Sequence, residues 1–304
     1  MNIIETINLT RRFGRTEAVH GLALAVPEGS VFALLGPNGA GKSTTIKLLM
    51  NLIPPTAGEA RVLGVASTAL GPRQRAQIGY VAENQALPLW MTVREYLDYC
   101  RAFYPSWDRT LEQTMLTRFE LPETRTLAKL SRGMLMKVAL LSSLAYRPKL
   151  LVLDEPFSGL DPLVRDELVR GMLEVSEQGG WTVLISSHDI EEVERLCDWI
   201  AVMDEGRLQF AEATEGLLAR FRRIEVSLQG GPAELGSPPP GWLGLERTGD
   251  LVRVIDSRYQ REATERACRE RFPTGTVTAQ PLTLREISIA LARAGRAARK
   301  GAAA

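Results

Sequence analysis

The chain has 304 residues, a formal net charge of +1, and 45 % hydrophobic against 24 % charged residues. That length holds one large domain or two smaller ones with real cores, and the charge balance supplies no bulk attraction for nucleic acid. The three cysteines, Cys100, Cys197 and Cys268, are too scattered for a zinc site or a disulfide framework, fit a reducing cytosol, and are expected to be small buried hydrophobes.

The opening "MNIIETINLTRRF" lacks the charged, apolar and small-residue pattern of a secretory leader. No apolar run approaches the ~20 residues that span a bilayer, so any membrane role calls for a partner chain. "SVFALL" reads as a buried strand, "GPNGAGKS" as a glycine-rich turn, and "TTIKLLMNLI" as a helix that halts at Pro54-Pro55. Residues about 85–148 read as a helical insertion, with amphipathic "VREYLDYCRAFY" and "TLEQTMLTRF" and the apolar "MLMKVALLSSLAY". Further buried strands are "LLVLD" at 150–154, "WTVLIS" at 181–186 and "WIAVMD" at 199–204, with an acidic helix "DIEEVERLC" between the last two. Strands alternating with helices predict an α/β sheet covered on both faces.

After residue 216 the character changes. "RIEVSL" precedes a Pro/Gly-rich loop, "GGPAELGSPPPGW", and "LGLERTGDLVRVID" reads as a hairpin turning at Gly249-Asp250. A helix "QREATERACRERF", a strand "GTVTAQ" and a helix "LREISIALARA" complete a small α+β accessory domain over 216–292. Residues 293–304 are expected to be a basic, frayed tail, solvated or touching anionic lipid through Arg293, Arg296, Arg299 and Lys300.

The run Gly36, Pro37, Asn38, Gly39, Ala40, Gly41, Lys42, Ser43 matches the G-x-x-x-x-G-K-[ST] phosphate loop between a strand and a helix. Glycines let backbone N–H groups turn onto phosphate oxygens, and the helix N-terminus adds its dipole. Lys42 is suited to the β- and γ-phosphates and Ser43 to Mg²⁺. In "LLVLDEP", Asp154 and Glu155 fall at the C-terminal end of a strand, where open parallel sheets bind ligands. Two adjacent carboxylates there are costly without a cation. Asp154 is placed to meet Mg²⁺, and Glu155 to take a proton from an attacking water. His188, in "LISSHD", follows another buried strand and can reach the γ-phosphate.

The phosphate loop, "LSRGM", "LLVLDEP", "SGLD" and "SSHD" occur in the order of the ATP-binding-cassette (ABC) ATPases, which residues 1–215 resemble. The resemblance implies a P-loop NTPase fold: a mixed-sheet core plus a helical subdomain, followed here by the accessory domain. It implies Mg²⁺ and ATP as ligands, with Phe13 stacking on adenine and residues Gly36 through Thr44 wrapping the phosphates. Phe13 also reads as a core residue of an N-terminal strand. Ser131 and Gly133 match the positions that contact the γ-phosphate of the opposite chain's ATP. Asp161 matches an aspartate that crosses the dimer interface, and it also suits a helix N-cap before Pro162. Glu155 matches the general base and His188 the γ-phosphate switch.

Three positions depart from the family pattern: Arg132 stands where glycine is usual, Met134 where glutamine is usual, and Glu83 where a metal-ligating glutamine is usual. Gln85 is the alternative if that loop is shifted. "LPLWMTVREYL" matches the region that receives a membrane subunit, with Leu89 and Trp90 alternatively core of the helical insertion. "FYPSWD", "LSRGM" and "PLTLREISIALAR" resemble single-cassette ATPases of bacterial drug, antibiotic and lipid exporters. The resemblance therefore implies an ATPase pairing with itself or another cassette on the cytoplasmic face of the membrane. It would drive an integral membrane permease, with no nucleic-acid partner. A soluble ABC-type ATPase acting on nucleic acid or ribosomes is the alternative. Such proteins resemble fused cassettes or a cassette split by a long coiled coil, and neither pattern appears here.

Overall fold

The computed structural model describes residues 1–228, 235 and 238–302, apart from the side chains of 173–179, 292 and 296–302. The chain divides into two compact units, Met1–Ala211 and Glu212–Ala304. The first begins with β1 (Asn2–Phe13), β2 (Thr16–Leu22), β3 (Ala25–Pro27), β4 (Val31–Leu35), α1 (Lys42–Leu49), β5 (Ala57–Val62) and β6 (Val65–Ala66). It continues through α2 (Pro72–Arg75), β7 (Ile78–Val81), α3 (Val93–Arg101), α4 (Arg109–Arg118) and α5 (Arg132–Leu144). Then come β8 (Leu150–Asp154), α6 (Pro162–Gly179), β9 (Thr182–Ser187), β10 (Trp199–Asp204) and β11 (Arg207–Ala213), the last crossing the division between units.

A six-stranded sheet runs β11-β10-β4-β9-β8-β7, parallel from β10 to β7. Every residue of β4, β8 and β9 is buried, the pattern of strands covered on both faces. A second sheet, β2-β1-β5-β6 with β3 also on β1, is antiparallel in its registers. The sequence reading did not predict this sheet. β1 mixes polar and apolar residues irregularly, and its inward set (Ile3, Ile4, Thr6, Leu9) breaks strict alternation. Side chains from both sheets and α1 form one apolar cluster, including Leu9, Leu22, Phe32 and Ile46.

Side chains cap the starts of several helices. Thr92 and Glu95 form a reciprocal capping box at α3, and Asp108 accepts from Thr110 and Leu111 N–H at α4. The expected acidic helix after β9 is instead a single 3₁₀ turn, Ile190–Glu192. Glu192 is drawn inward by a 2.5 Å hydrogen bond from the Ser187 hydroxyl, while Asp189 caps the turn through Glu191 N–H. A segment this short, with its carboxylates tied locally, gains little from continuing as a helix.

The second unit contains α7 (Thr214–Arg220), β12 (Arg222–Ser227), β13 (Trp242–Thr248), β14 (Leu251–Asp256), α8 (Arg261–Arg271), β15 (Thr276–Pro281) and α9 (Leu284–Ala302). Its antiparallel sheet runs β13-β14-β12-β15, with β13 and β14 joined through Gly249 at φ 61°. Most of the Pro/Gly-rich loop lies outside the described residues. The frayed tail expected from 293 onward is helical to Ala302, since alanine, arginine and lysine are strong helix formers and no proline intervenes. Cys197 and Cys268 are buried, as expected, but Cys100 on α3 is only half-buried.

Candidate active site

The chain leaves β4 at Leu35 and turns through 36–41 into α1. Gly41 caps α1 at φ 100°, and a Cβ there would stand 2.4 Å from the Ala18 carbonyl oxygen. A Cβ on Gly36 would stand 2.3 Å from the Met203 carbonyl oxygen. Backbone crowding therefore demands glycine at both ends of the loop, leaving its N–H groups and the α1 N-terminus to attract an anion. Lys42, 5 % exposed, opens α1. Its Nζ donates to Gly36 O (2.6 Å) and Pro37 O (3.3 Å), and pairs with Glu155 Oε1 at 3.0 Å.

The adjacent strand ends supply the carboxylates. Ser43 Oγ and Ser186 Oγ both donate to Asp154 Oδ1, at 2.9 and 2.7 Å. Ser186 Oγ also accepts from Glu155 N–H at 2.9 Å, so one serine orients both acidic residues. Glu155 takes the left-handed region at φ 51° and is 7 % exposed. Such a backbone is costly for a side-chain-bearing residue and persists where surroundings over-determine it. Its Oε2 accepts from His188 Nδ1 at 2.8 Å and from His188 N–H at 3.3 Å. An ionised carboxylate only accepts, so the Nδ1 of His188 carries the proton.

Burial alone would raise the Glu155 carboxyl. The hydrogen bonds and charges of His188 and Lys42 outweigh it and hold the group below the usual carboxylate range. The Glu155 hydrogen bond raises His188 above its ordinary value, against the opposing effect of burial.

A cleft of about 530 Å³ is lined by Phe13, by Asn38 through Thr44, and by Glu83, Glu155 and His188. Gly36 and Pro37 hold Lys42 through their carbonyls, and Asp154 is reached through Ser43. Phe13 is 47 % exposed rather than a core residue. Glu83, in the turn after β7, accepts from Ser158 Oγ at 3.3 Å, whereas Gln85 lines other grooves. Ser158, Ser186 and Ala18 were missed by the sequence reading. The first two stand in "FSGLD" and "LISSHD" beside residues it did single out.

Besides Gly36, Pro37 and Asp154, three expected residues do not line this cleft in the single chain. Ser131 caps α5 by accepting from Met134 N–H (3.2 Å), and Asp161 caps α6 by accepting from Leu163 N–H (2.9 Å). Gly133 is packed on α6, where a Cβ would stand 2.7 Å from Val164 Cγ1. The Arg132 guanidinium lies against Gly159, the φ +67° residue between Ser158 and Leu160, with Nη1 2.7 Å from where a Cβ would sit. Leu89 and Trp90 are 50 % and 76 % exposed, so neither is core of the helical insertion.

The donor set suits Mg²⁺. Hydroxyl and carboxylate oxygens of Ser43 and Asp154 meet at 2.9 Å, and a hard cation takes one or two carboxylates together with phosphate oxygens and water. Among the described residues, no group of three acidic, histidine or cysteine side chains forms a cage by itself.

A parallel sheet, a glycine-bound phosphate loop and strand-end carboxylates joined to the loop lysine define a P-loop nucleoside triphosphatase. The chain matches the ABC transporter family over residues 19–158. It is 34 % identical over 279 residues to an ABC transporter ATP-binding protein of Synechocystis sp. (strain ATCC 27184 / PCC 6803 / Kazusa), covering 84 % of this chain and 77 % of that one. It is 30 % identical over 255 residues to the sulfate/thiosulfate import ATP-binding protein CysA of Escherichia coli (strain K12), covering 77 % and 70 %. It is 36 % identical over 212 residues to the Nod factor export ATP-binding protein I of Sinorhizobium fredii (strain NBRC 101917 / NGR234), covering 67 % and 61 %. A solved ATP binding subunit of an ABC transporter superposes with a TM-score of 0.64 at 28 % identity, covering 71 % of this chain and 92 % of that one. The chain belongs to the ATP-binding proteins of ABC transporters: it is an ATP-hydrolysing, nucleotide-binding subunit of a transporter. Among the described residues, no helix is long and apolar enough to cross a membrane.

Proposed function

We propose that this subunit works as one half of an ATP-closed pair of cassettes and drives export through a separate membrane permease. The observation that carries the catalytic reading is the Glu155 carboxylate, bridged between Lys42 Nζ at 3.0 Å and His188 Nδ1 at 2.8 Å beside the phosphate loop. The loop N–H groups and Lys42 hold the phosphates, Phe13 receives adenine, and Ser43, Asp154 and Glu83 are the residues that would hold Mg²⁺. Bound there, the ion would neutralise charge on the β- and γ-phosphates.

Phosphates compete with Glu155 for Lys42. When the lysine turns to them, one of the two groups depressing the Glu155 pKa departs and its basicity rises. Substrate binding thereby readies Glu155 to take a proton from water. His188, already holding a proton at Nδ1, keeps the carboxylate aimed. Ser131, Gly133 and Asp161 serve the other chain's ATP. Ser131 and Gly133 stand at the N-terminus of α5, whose N–H groups attract anions.

Export is favoured by the exporter-like "LSRGM" and C-terminal stretches, while the relatives include both a Nod factor export protein and sulfate/thiosulfate import proteins. The exposed Leu52, Leu89, Trp90, Tyr99 and Phe103 provide apolar surface for the permease, which would hold the subunit peripherally on the cytoplasmic face of the membrane. Two measurements test this reading. Glu155→Gln retains ATP binding, loses about a hundredfold or more in turnover and traps an ATP-dependent dimer; normal turnover rejects Glu155 as the base. Mild-detergent purification recovers a membrane chain whose cargo accumulates in inside-out vesicles with ATP; loss of cargo from preloaded inside-out vesicles rejects export.

A further inference from the structure

Phe13 lines the nucleotide cleft, and Arg11 does not. The two residues stand two positions apart at the end of β1, across a register shift between Arg11 and Arg12. The Arg11 guanidinium carbon stands 4.6 Å from the Phe13 ring centroid. Its Nη1 donates to the Pro54 carbonyl at 2.8 Å, in the turn that follows α1. Its Nε is buried without a hydrogen-bond partner among the described residues. Besides the Pro54 carbonyl, the guanidinium contacts the Phe13 ring face, a cation–π arrangement.

We propose that Arg11 is a positioning residue for nucleotide-base selection, bracing Phe13 from behind so that the opposite ring face receives a purine. The inference rests on the reading of Phe13 as the base platform. A cation on one face of an aromatic ring draws π-density towards itself and leaves the other face poorer in electrons. An electron-rich purine stacks well on such a face. The bond to Pro54 ties the platform to the chain leaving α1, the helix that starts at the phosphate loop. Arg11 therefore holds the base platform at a set distance from the phosphates, using a contact on each side.

The test compares ATP with a base-free phosphate on the purified full-length chain. Arg11→Met keeps side-chain length and loses the charge. It is expected to raise the KM for ATP about three- to tenfold while kcat stays within about twofold. The inhibition constant of inorganic tripolyphosphate, which has no base to stack, stays where it was. Arg11→Lys recovers at least half of the loss. Phe13→Ala raises the KM about tenfold or more, and adding Arg11→Met to it has no further effect.

An equal rise in the tripolyphosphate constant, or full additivity with Phe13→Ala, shows Arg11 acting on the phosphate site or the fold and overturns the proposal. So does a silent Arg11→Met in a chain where Phe13→Ala weakens ATP. An unchanged KM in Phe13→Ala removes the platform itself, an outcome distinct from failure of the brace. Thermal melting of each variant separates a loss of folding from a loss of stacking.

Discussion

Both units bury a carboxylate at the end of a strand, and the two carboxylates do different work. In the cassette, Asp154 and Glu155 are bonded to Ser43, Lys42 and His188, groups that also face a nucleotide-sized cleft. In the accessory unit, Asp256 ends β14, and both its oxygens are taken by the chain that follows. Thr264 Oγ1 donates to Oδ2 at 2.6 Å and Arg258 N–H to Oδ1 at 2.9 Å. A buried carboxylate is available for chemistry when a ligand can take over its partners. It is a fastening when its own turn and the next helix satisfy it. Equal burial, 4 % exposure in both aspartates, does not separate the two cases; the identity of the partners does.

Exchanging the two carboxylates for amides gives the sharpest test of that contrast. Asp154→Asn is expected to lower Mg-ATPase turnover about a hundredfold or more. Asp256→Asn leaves ATPase within about twofold and lowers the denaturation midpoint of the accessory unit, by about 1–3 kcal/mol in stability. A large ATPase loss in Asp256→Asn would break the comparison. Within the cassette, Gly159→Ala meets both a positive φ and the Arg132 guanidinium, and turnover is expected to fall about tenfold. Adding Arg132→Ala relieves the crowding and recovers part of the loss; no recovery means that backbone strain alone is responsible. Glu83→Gln keeps an oxygen at the cleft, and steady-state turnover changes by less than about tenfold; complete loss assigns the carboxylate another role.

The smallest effect is a pH dependence of stability. Glu155 is depressed below its ordinary 4.5, so its contribution is fully present above that value and is lost as pH falls through its folded pKa. His188 is raised above its ordinary 6.5, so its contribution is fully present below 6.5 and is lost as pH rises through its folded pKa. The melting difference between the parent and His188→Gln is therefore greatest between pH 4.5 and 6.5 and shrinks on the alkaline side. A difference that grows with rising pH would contradict the pairing.

Much of this arrangement is legible in single stretches of chain. "GPNGAGKS" between an apolar strand and a helix, "LLVLDEP", and the final hairpin and helices are local patterns. Their geometry follows from glycine conformations, strand ends and helix starts within a few residues. The N-terminal antiparallel sheet was not legible, because its register depends on pairs as far apart as Ile4 and Val62 and on side chains packed by the core of the other sheet. The acidic stretch after β9 read as a helix because its composition permits one. The Ser187–Glu192 bond, with the Arg165–Glu192 ion pair reaching in from α6, holds it as a turn.

The family, the phosphate loop, the strand-end acids and the presence of a second small unit can be read from the amino-acid chain. Each is carried by residue types at fixed short spacings, and short spacings dictate local backbone geometry. How those residues are joined follows from the folded chain. It set Glu155 between a lysine 113 positions earlier and a histidine 33 positions later, with Ser186 orienting Asp154 beneath them. It also laid Arg132 on Gly159 and Arg11 on Phe13. Such contacts arise from sheet order and packing, which bring together side chains that no local pattern relates.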